Sequence, residues 1–384
     1  MTRRSLLALL LGLPLSAQAQ QGEVVRAQGT SFRLTTFASG LERPWGAAVL
    51  PDGRLLVTER PGRLRLLSAD GAVSPPLAGV PSVEAARQGG LLDVALAPDF
   101  ATTREVFLCH AMLVQGGALT RLTRARLAEN SRGLEEVRPV LDATPPQSSG
   151  RLHYGCRIAF GRDGHLFLST GDRYETKERA QRLDDLAGKV LRLTRDGRVP
   201  ADNPFVGRVA PEARGQGLAR PEIWSYGHRN PQGLALNPWT GSLWAAEFGA
   251  RGGDEVNLIR PGANYGWPLV SHGVDYDGSR IGTGRQTAPG VTEPLFHWTP
   301  SVSPSGIAFY DGAAFPSWRG SLFLAALNPP GLVRLSTEGD RVTGEERLLF
   351  DRGIRMRHVV VAPDGALLVL TDEARGRILR LSPG

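Results

Sequence analysis

The sequence predicts an all-β chain, a six-bladed β-propeller of four-stranded antiparallel blades. Three observations predict it: a recurring hairpin pattern, the spacing of its copies, and an abundance of turn-forming residues. The pattern is a small residue, an alternating apolar run, a Pro/Asp/Gly turn and a second alternating run. It reads WGAAVLPDGRLLVTE from Trp45, GLLDVALAPDF and then EVFLCHA from Gly90, and RIAFGRDGHLFLSTGD from Arg157. It returns as QGLALNPWTGSLWAAEFG from Gln232, SGIAFYDGAAFPSWRGSLFLAAL from Ser305 and HVVVAPDGALLVLTDE from His358. Period-two alternation belongs to half-buried strands, and D-G, R-D-G or W-T-G between two such runs makes a hairpin turn. The copies start about 45 to 75 residues apart, which leaves room for four short strands each. Radial closure of such units leaves few exposed strand edges. The 47 glycines and 28 prolines supply the turns.

The elements outside the copies follow in order. Residues 1–19 read as an export signal to be removed: Arg3 and Arg4 are followed by the apolar LLALLLGLPL and an Ala17-Gln18-Ala19 cleavage site. The Arg3-Arg4 pair leaves Sec and twin-arginine export both open, with a periplasmic or secreted destination. The apolar run is too short to span a bilayer, and no later segment approaches the ~20 apolar residues that would. Residues 20–384 are then expected to form one propeller domain. Cys109 and Cys156 are the only cysteines, enough for one disulfide but not for a zinc site; a buried free thiol at Cys109, within VFLCHAM, is the alternative. ERAQRLDDLAGKVLRL is the best helix candidate, or else a loop running into a strand. Long connections follow copies three to five, and loops on a rigid scaffold are where a site is expected.

Charge excludes one class of partner. The formal net charge is +7, but lysine occurs only at Lys177 and Lys189, and the arginines are scattered without a run of five like charges. That distribution fits a solvated arginine-rich surface with a few arginines turned to an anionic ligand, and it argues against nucleic acid. H-E-x-x-H, G-x-x-x-x-G-K-[ST] and G-x-S-x-G are absent, and no G-x-G-x-x-G follows a strand, so zinc hydrolysis, nucleotide chemistry and α/β-hydrolase catalysis lack support.

What remains is a set of polar residues at the openings of the copies. His153 stands in RLHYGCRIAF just before the third copy. Asp172 ends that copy's second run, where a hairpin brings it beside His153; a carboxylate there would orient the ring and favour its protonated form. Arg229 and Asn230, in GHRNPQ, open the fourth copy and suit a planar, oxygen-rich anion. The glycine-rich AEFGARGGDEVN lets carbonyls approach a cation, with Asp254 or Glu255 as hard oxygen ligands suited to calcium. Asp275-Tyr276-Asp277-Gly278-Ser279 has a calcium-loop composition without the closing glutamate of an EF-hand. Arg355 and Arg357 alternate onto one face of the strand entering the last copy, an anion clamp if that face meets the central channel, and Asp372 ends the next strand.

RPEIWSYGHRNPQGLALNPWTG, GGDEVN followed by NYGWP, and QGGLLDVALAPDF together resemble the soluble pyrroloquinoline quinone-dependent aldose sugar and glucose dehydrogenases, from about Gly40 to the C-terminus. The resemblance implies oxidation of aldoses to lactones, with His153 taking the anomeric proton while hydride passes to the quinone, and with electrons leaving to an external acceptor. It assigns Asp172 as the partner of His153, with Arg229 completing the catalytic set, and Gln88 to the sugar site. Arg229 and Asn230 would contact the quinone and Arg355 and Arg357 its carboxylates, with Gln181, Asp372 and Trp298 as further pocket residues. The carbonyls of Gly249 and Ala250 would hold a calcium ion that polarises the quinone. Glu255 and the Tyr265 carbonyl would hold a structural calcium, with Tyr276 and Asp277 near a third. The chain departs from the family at Asn328, where a lysine is usual, at Phe248, where relatives have a polar residue, and at Ala250, where they have proline. Monomer and homodimer are both compatible with the sequence. A calcium-dependent propeller lactonase and a non-catalytic sugar-binding propeller are the alternatives; the first would need acidic ligands in the central channel.

Overall fold

Six small antiparallel sheets are arranged as the six blades of a β-propeller in the computed structural model, which describes residues 22–211 and 215–384. The expected export signal lies outside the described residues, among which no helix is long and apolar enough to cross a membrane. Each sequence copy supplies the two innermost strands of one blade. Blade one is Pro44–Val49, Leu55–Glu59 and Arg63–Leu67; blade two is Leu91–Leu96, Glu105–Val114, Gly117–Leu127 and Leu134–Asp142. Blade three is Ile158–Phe160, Leu166–Thr170, Lys189–Leu193 and Ile223–Tyr226. Blade four is Pro231–Leu236, Leu243–Glu247, Asp254–Ile259 and Phe296–Trp298, and blade five is Pro304–Phe309, Leu322–Leu327, Pro330–Glu338 and Arg341–Leu348. Blade six joins both ends of the chain: Met356–Val361, Leu367–Thr371 and Gly376–Pro383 are extended by Thr30–Leu41 and then Glu23–Ala27.

Two blades depart from four strands, and each has a reason. Thr30–Leu41 pairs antiparallel with Gly376–Pro383 from Phe32↔Pro383 to Leu41↔Gly376, so the ring is closed by hydrogen bonds rather than by a free edge. Blade one stops at three strands because Pro75, Pro76 and Pro81 follow it, and proline has no N–H to give a ladder. The second strand of blades one, three, four, five and six is buried along its whole length, since a neighbouring blade covers each face. Apolar clusters fill the gaps between blades, such as Trp45, Phe107, Cys109 and Leu168 near blades two and three, and Phe32, Trp318, Phe323 and Val359 between five and six. The helix candidate is a loop running into a strand: a 3-10 turn over Lys177–Gln181 precedes Lys189–Leu193.

The first strands surround the axis, and one aligned position fills it. Reading around the ring, that position is Gly46, Asp93, Arg157, Gly233, Gly306 and His358. The Arg157 guanidinium, from blade three, donates to Asp93 Oδ1 of blade two at 2.7 Å and to the Gln232 carbonyl of blade four at 2.6 Å. It also lies 4.0 Å over the Trp45 ring of blade one, a reach possible only on the axis. Three large polar side chains there require small neighbours: a Cβ on Gly46 would stand 2.6 Å from Asp93 Oδ1, and one on Gly306 would run into the His358 ring.

Candidate active site

A cavity of about 1340 Å³ opens at one end of the axis, with Trp45 in its wall. His153, Gln88, Arg229, Asn230, Phe248, Ala250, Asn328, Arg355, Arg357 and Asp372 all line it. The hairpin of blade three does bring Asp172 to His153: His153 Nδ1 and Asp172 Oδ1 are 2.7 Å apart, and both side chains are buried. Asp172 also accepts from the Tyr174 amide at 2.8 Å and, at Oδ2, from Trp267 Nε1 at 2.7 Å. With Nδ1 engaged, Nε2 is the nitrogen of His153 left for a ligand in the cavity.

His153 sits in the left-handed region at φ 48°, and Cys156, Arg173 and Tyr174 also have positive φ. Non-glycine residues persist there only when their surroundings over-determine them, a common condition at functional sites. Here the surroundings are explicit. The His153 amide donates to Gln88 Oε1 at 2.9 Å, the Gly155 amide to Asn230 Oδ1 at 3.0 Å, and Thr120 Oγ1 to the Tyr154 carbonyl at 2.8 Å. Cys156 is bonded to Cys109 of blade two, which settles the cysteine alternatives in favour of the disulfide.

Two opposing effects act on the charge of the ring. Burial lowers the His153 pKa from its ordinary value and outweighs Asp172, which raises it; Arg229 and Arg173 lower it further. For Asp172, burial opposes ionisation but the contact with His153 prevails, and its pKa lies below the ordinary range. Asp172 thus favours the protonated ring, as expected from the hairpin, but burial outweighs it and favours the neutral imidazole.

Arg229 forms the opposite side. Its amide donates to Glu247 Oε2 at 2.7 Å, Nη2 to the Tyr276 hydroxyl at 3.2 Å, and Nη1 to the Gly249 carbonyl, while the guanidinium lies over Trp267 at 5.1 Å. Arg355 and Arg357 both grip Asp372; burial opposes its ionisation, but the two guanidiniums hold its carboxyl well below the ordinary range.

Several expected residues are placed elsewhere. Trp298 is buried near blade five, where its Nε1 donates to Glu345 Oε1 at 3.1 Å, so it forms no wall of the cavity. Gln181 lies behind the wall, donating to the Trp267 carbonyl at 2.7 Å. Asp254 is used structurally, accepting the amides of Gly249, Val302 and Ser303. Asp277 is exposed and accepts the Ser279 amide. Glu255 and Tyr265 do meet, with Glu247 and Gly249, around a small void of about 20 Å³. Burial and the neighbouring Glu247 raise the Glu255 pKa well above its ordinary value. Among the described residues no three His, Cys, Asp or Glu side chains form a metal-binding group.

The Glucose / Sorbosone dehydrogenase family model matches residues 41–380. This chain belongs to that family. It is 44% identical over 346 residues to the aldose sugar dehydrogenase YliI of Escherichia coli, spanning 89% of this chain and 91% of that protein. The apo-form crystal structure of the soluble aldose sugar dehydrogenase from Escherichia coli superposes with a TM-score of 0.86 at 42% identity, covering 92% and 100% of the two chains. The PQQ-bound aldose sugar dehydrogenase from Streptomyces coelicolor gives 0.75 at 31% identity, covering 91% and 98%.

The family motifs do not mark every residue of this cavity. Arg43, Trp45 and Arg60 also line it, and Tyr174 helps to hold Asp172; Arg251 and Trp267 lie within AEFGARGGDEVN and NYGWP, but the resemblance gives them no role. Trp45 and the axial Asp93, Arg157 and His358 open copies one, two, three and six, so aligning the copies would have marked them. Nothing comparable marks Arg43 or Arg60, which lie on either side of the first copy's strands.

Proposed function

We propose that this chain is an exported dehydrogenase, dependent on pyrroloquinoline quinone and calcium, that oxidises aldoses at the anomeric carbon to lactones and passes electrons to an external acceptor. The observation that carries the reading is the His153–Asp172 pair opening into a cavity lined, among the described residues, by six arginines and by Asp372 as its sole acid. That imbalance suits a planar ligand bearing several carboxylates. Arg229, Asn230, Arg355 and Arg357 would hold it, and the Gly249 and Ala250 carbonyls would hold a calcium ion beside it. The void between Glu247, Glu255, Gly249 and Tyr265 suits a second calcium, since a cation would relieve two crowded carboxylates. When bound, the quinone supplies the two-electron acceptor and calcium the Lewis acid.

The chain's own residues supply the proton chemistry. His153, neutral and hydrogen-bonded through Nδ1, accepts the anomeric hydroxyl proton at Nε2. Asp172 keeps the proton on Nδ1 and stabilises the imidazolium that forms, while Trp267 and Tyr174 hold Asp172.

The test is reconstitution of the apo-protein with pyrroloquinoline quinone and calcium, followed by glucose-dependent dye reduction. Turnover that requires both supports the reading. No turnover together with no change in quinone absorbance on mixing overturns it.

A further inference from the structure

The positive charge of the cavity exceeds what the cofactor reading uses, and the excess has a location. A ligand with three carboxylates, added to Asp372, would still leave two of the six guanidiniums without a counter-charge. Arg229 is engaged with Tyr276 and the Gly249 carbonyl, and Arg355 and Arg357 with Asp372. Arg43 and Arg60 are different. Arg43 is exposed, at φ 48°, and makes no side-chain hydrogen bond or ion pair with described residues. Arg60 is half-buried and its guanidinium donates only to the carbonyls of Gly89 and Arg87, with no carboxylate partner. The two are joined through their backbones, the Arg60 amide donating to the Arg43 carbonyl at 3.1 Å. The charges of Arg357 and Arg43 oppose that of Arg60, and Asp372 offsets them in part. Like charges held together, partly out of water and facing a cavity, bind an anion strongly.

Their position assigns the anion. The Arg87–Gly89 turn that Arg60 grips carries Gln88, whose side chain accepts the His153 amide. Arg60 therefore borders the His153 side of the cavity as well as Arg357 and Asp372 of the adjoining blade six, and stands across the ring from Arg229 of blade four. We propose that Arg43 and Arg60 form an anion subsite for the reducing substrate, and that the preferred substrate is an aldose carrying a carboxylate or phosphate remote from its anomeric carbon. The inference rests on the aldose-oxidising reading above. The reaction keeps its balance: two electrons and one proton leave the anomeric C–H and one proton leaves its hydroxyl, while the anionic group is unchanged.

The experiment compares kcat/KM for glucose, glucuronate and glucose 6-phosphate in the reconstituted holoenzyme, with one cationic dye as acceptor throughout. At low ionic strength at least one anionic sugar should exceed glucose by about tenfold, the size expected for one charge-assisted contact. The carboxylate and phosphate arms separate the two sources of anion. Arg43→Gln should lower the anionic-to-glucose ratio severalfold through KM. Arg251→Gln, which removes the same charge from another part of the wall, should lower it less. Glucose oxidation without any preference for either anionic sugar overturns the subsite and leaves the dehydrogenase reading standing; no oxidation of any sugar overturns that reading instead. An equal loss in both variants would show a diffuse field rather than a site. Quinone titration of Arg43→Gln, read by absorbance, gives an answer independent of turnover. A tenfold loss of quinone affinity with an unchanged sugar ratio would assign Arg43 to the cofactor and overturn the proposal.

Discussion

The two sides of the cavity are built in different ways. On one side His153 sits on an irregular loop between blades two and three, and every constraint on it comes from outside that loop: Gln88, Asn230, Thr120 and Cys109. On the other side Arg357 sits in a strand, Met356–Val361, at a shift in its pairing register, with Arg355 just before it, and a single acid on the neighbouring loop fixes both. The first side buries a ring until it is neutral, and the second keeps its charges and pairs them. A base must release and accept a proton, so its environment is tuned against charge. An anion clamp needs permanent charge, and arginine on a strand provides it without tuning.

The sharpest way to break this comparison is to remove the base. His153→Ala should lower kcat by about 10²- to 10⁴-fold, the usual contribution of a positioned general base. Quinone titration should be nearly unchanged, because the anion side is untouched. A variant that loses quinone binding to the same degree would show that the two sides are one unit.

Next in size is the clamp on the loop. The disulfide spans 47 residues, and replacing both Cys109 and Cys156 with Ala should cost about 2–4 kcal/mol of stability, seen as a lower Tm. Because Cys156 is three residues from His153, kcat should fall more than KM rises, whereas a purely global effect would leave both unchanged below the melting transition.

Asp172→Asn separates orientation from charge. The amide can still accept from His153 Nδ1, but its NH₂ group would then face the Trp267 N–H, donor against donor. We expect kcat/KM to fall about 10- to 100-fold, by the same reasoning that makes base orientation matter in general acid–base catalysis. The pH profile gives the sign. In the native protein the acid limb of kcat/KM should lie below the ordinary histidine value of about 6.5, since burial lowers the His153 pKa. Asp172 raises that pKa, so its loss should move the limb further towards acid. A limb that moved towards neutral pH would overturn the assignment of a neutral ring.

How much of this was legible follows the same division. The strands were legible because alternation and turns are local, and all six copies became the inner strands of blades. Alternation put Arg355 and Arg357 on one face and Asp372 at the end of the next strand, but their ion pairs with Asp372 were not legible. The surroundings of His153 were not legible either: its amide partner Gln88 lies 65 residues away and the Trp267 contact to Asp172 spans 95, distances that no local pattern encodes. The effect of Asp172 on the ring was visible in the hairpin, but the larger effect of burial was not, because burial depends on the whole assembly. Trp298 was misplaced by resemblance, its indole turned to Glu345 on blade five.

The smallest effects should come from dividing the clamp. The Arg357 side chain is 8% exposed and also donates to Gln232 Oε1 at 2.7 Å and Ser305 Oγ at 3.3 Å; that of Arg355 is 47% exposed and adds only the Leu327 carbonyl. The two distances to Asp372 are equal at 2.8 Å, so geometry predicts equal contributions and burial predicts unequal ones. Burial should win, because solvent and salt screen the exposed pair while the buried one retains most of its attraction. Arg357→Gln should weaken quinone binding about 10- to 30-fold, with little dependence on ionic strength, as expected for a lost charge-assisted contact in a buried site. Arg355→Gln should weaken it by less than about fivefold, and that loss should shrink further when salt is raised from about 0.05 to 0.5 M. Quinone titrations of both variants at the two salt concentrations measure this. Equal losses would mean that the clamp acts through summed charge alone, and the contrast between a tuned side and a merely charged one would then hold for its strand as a whole.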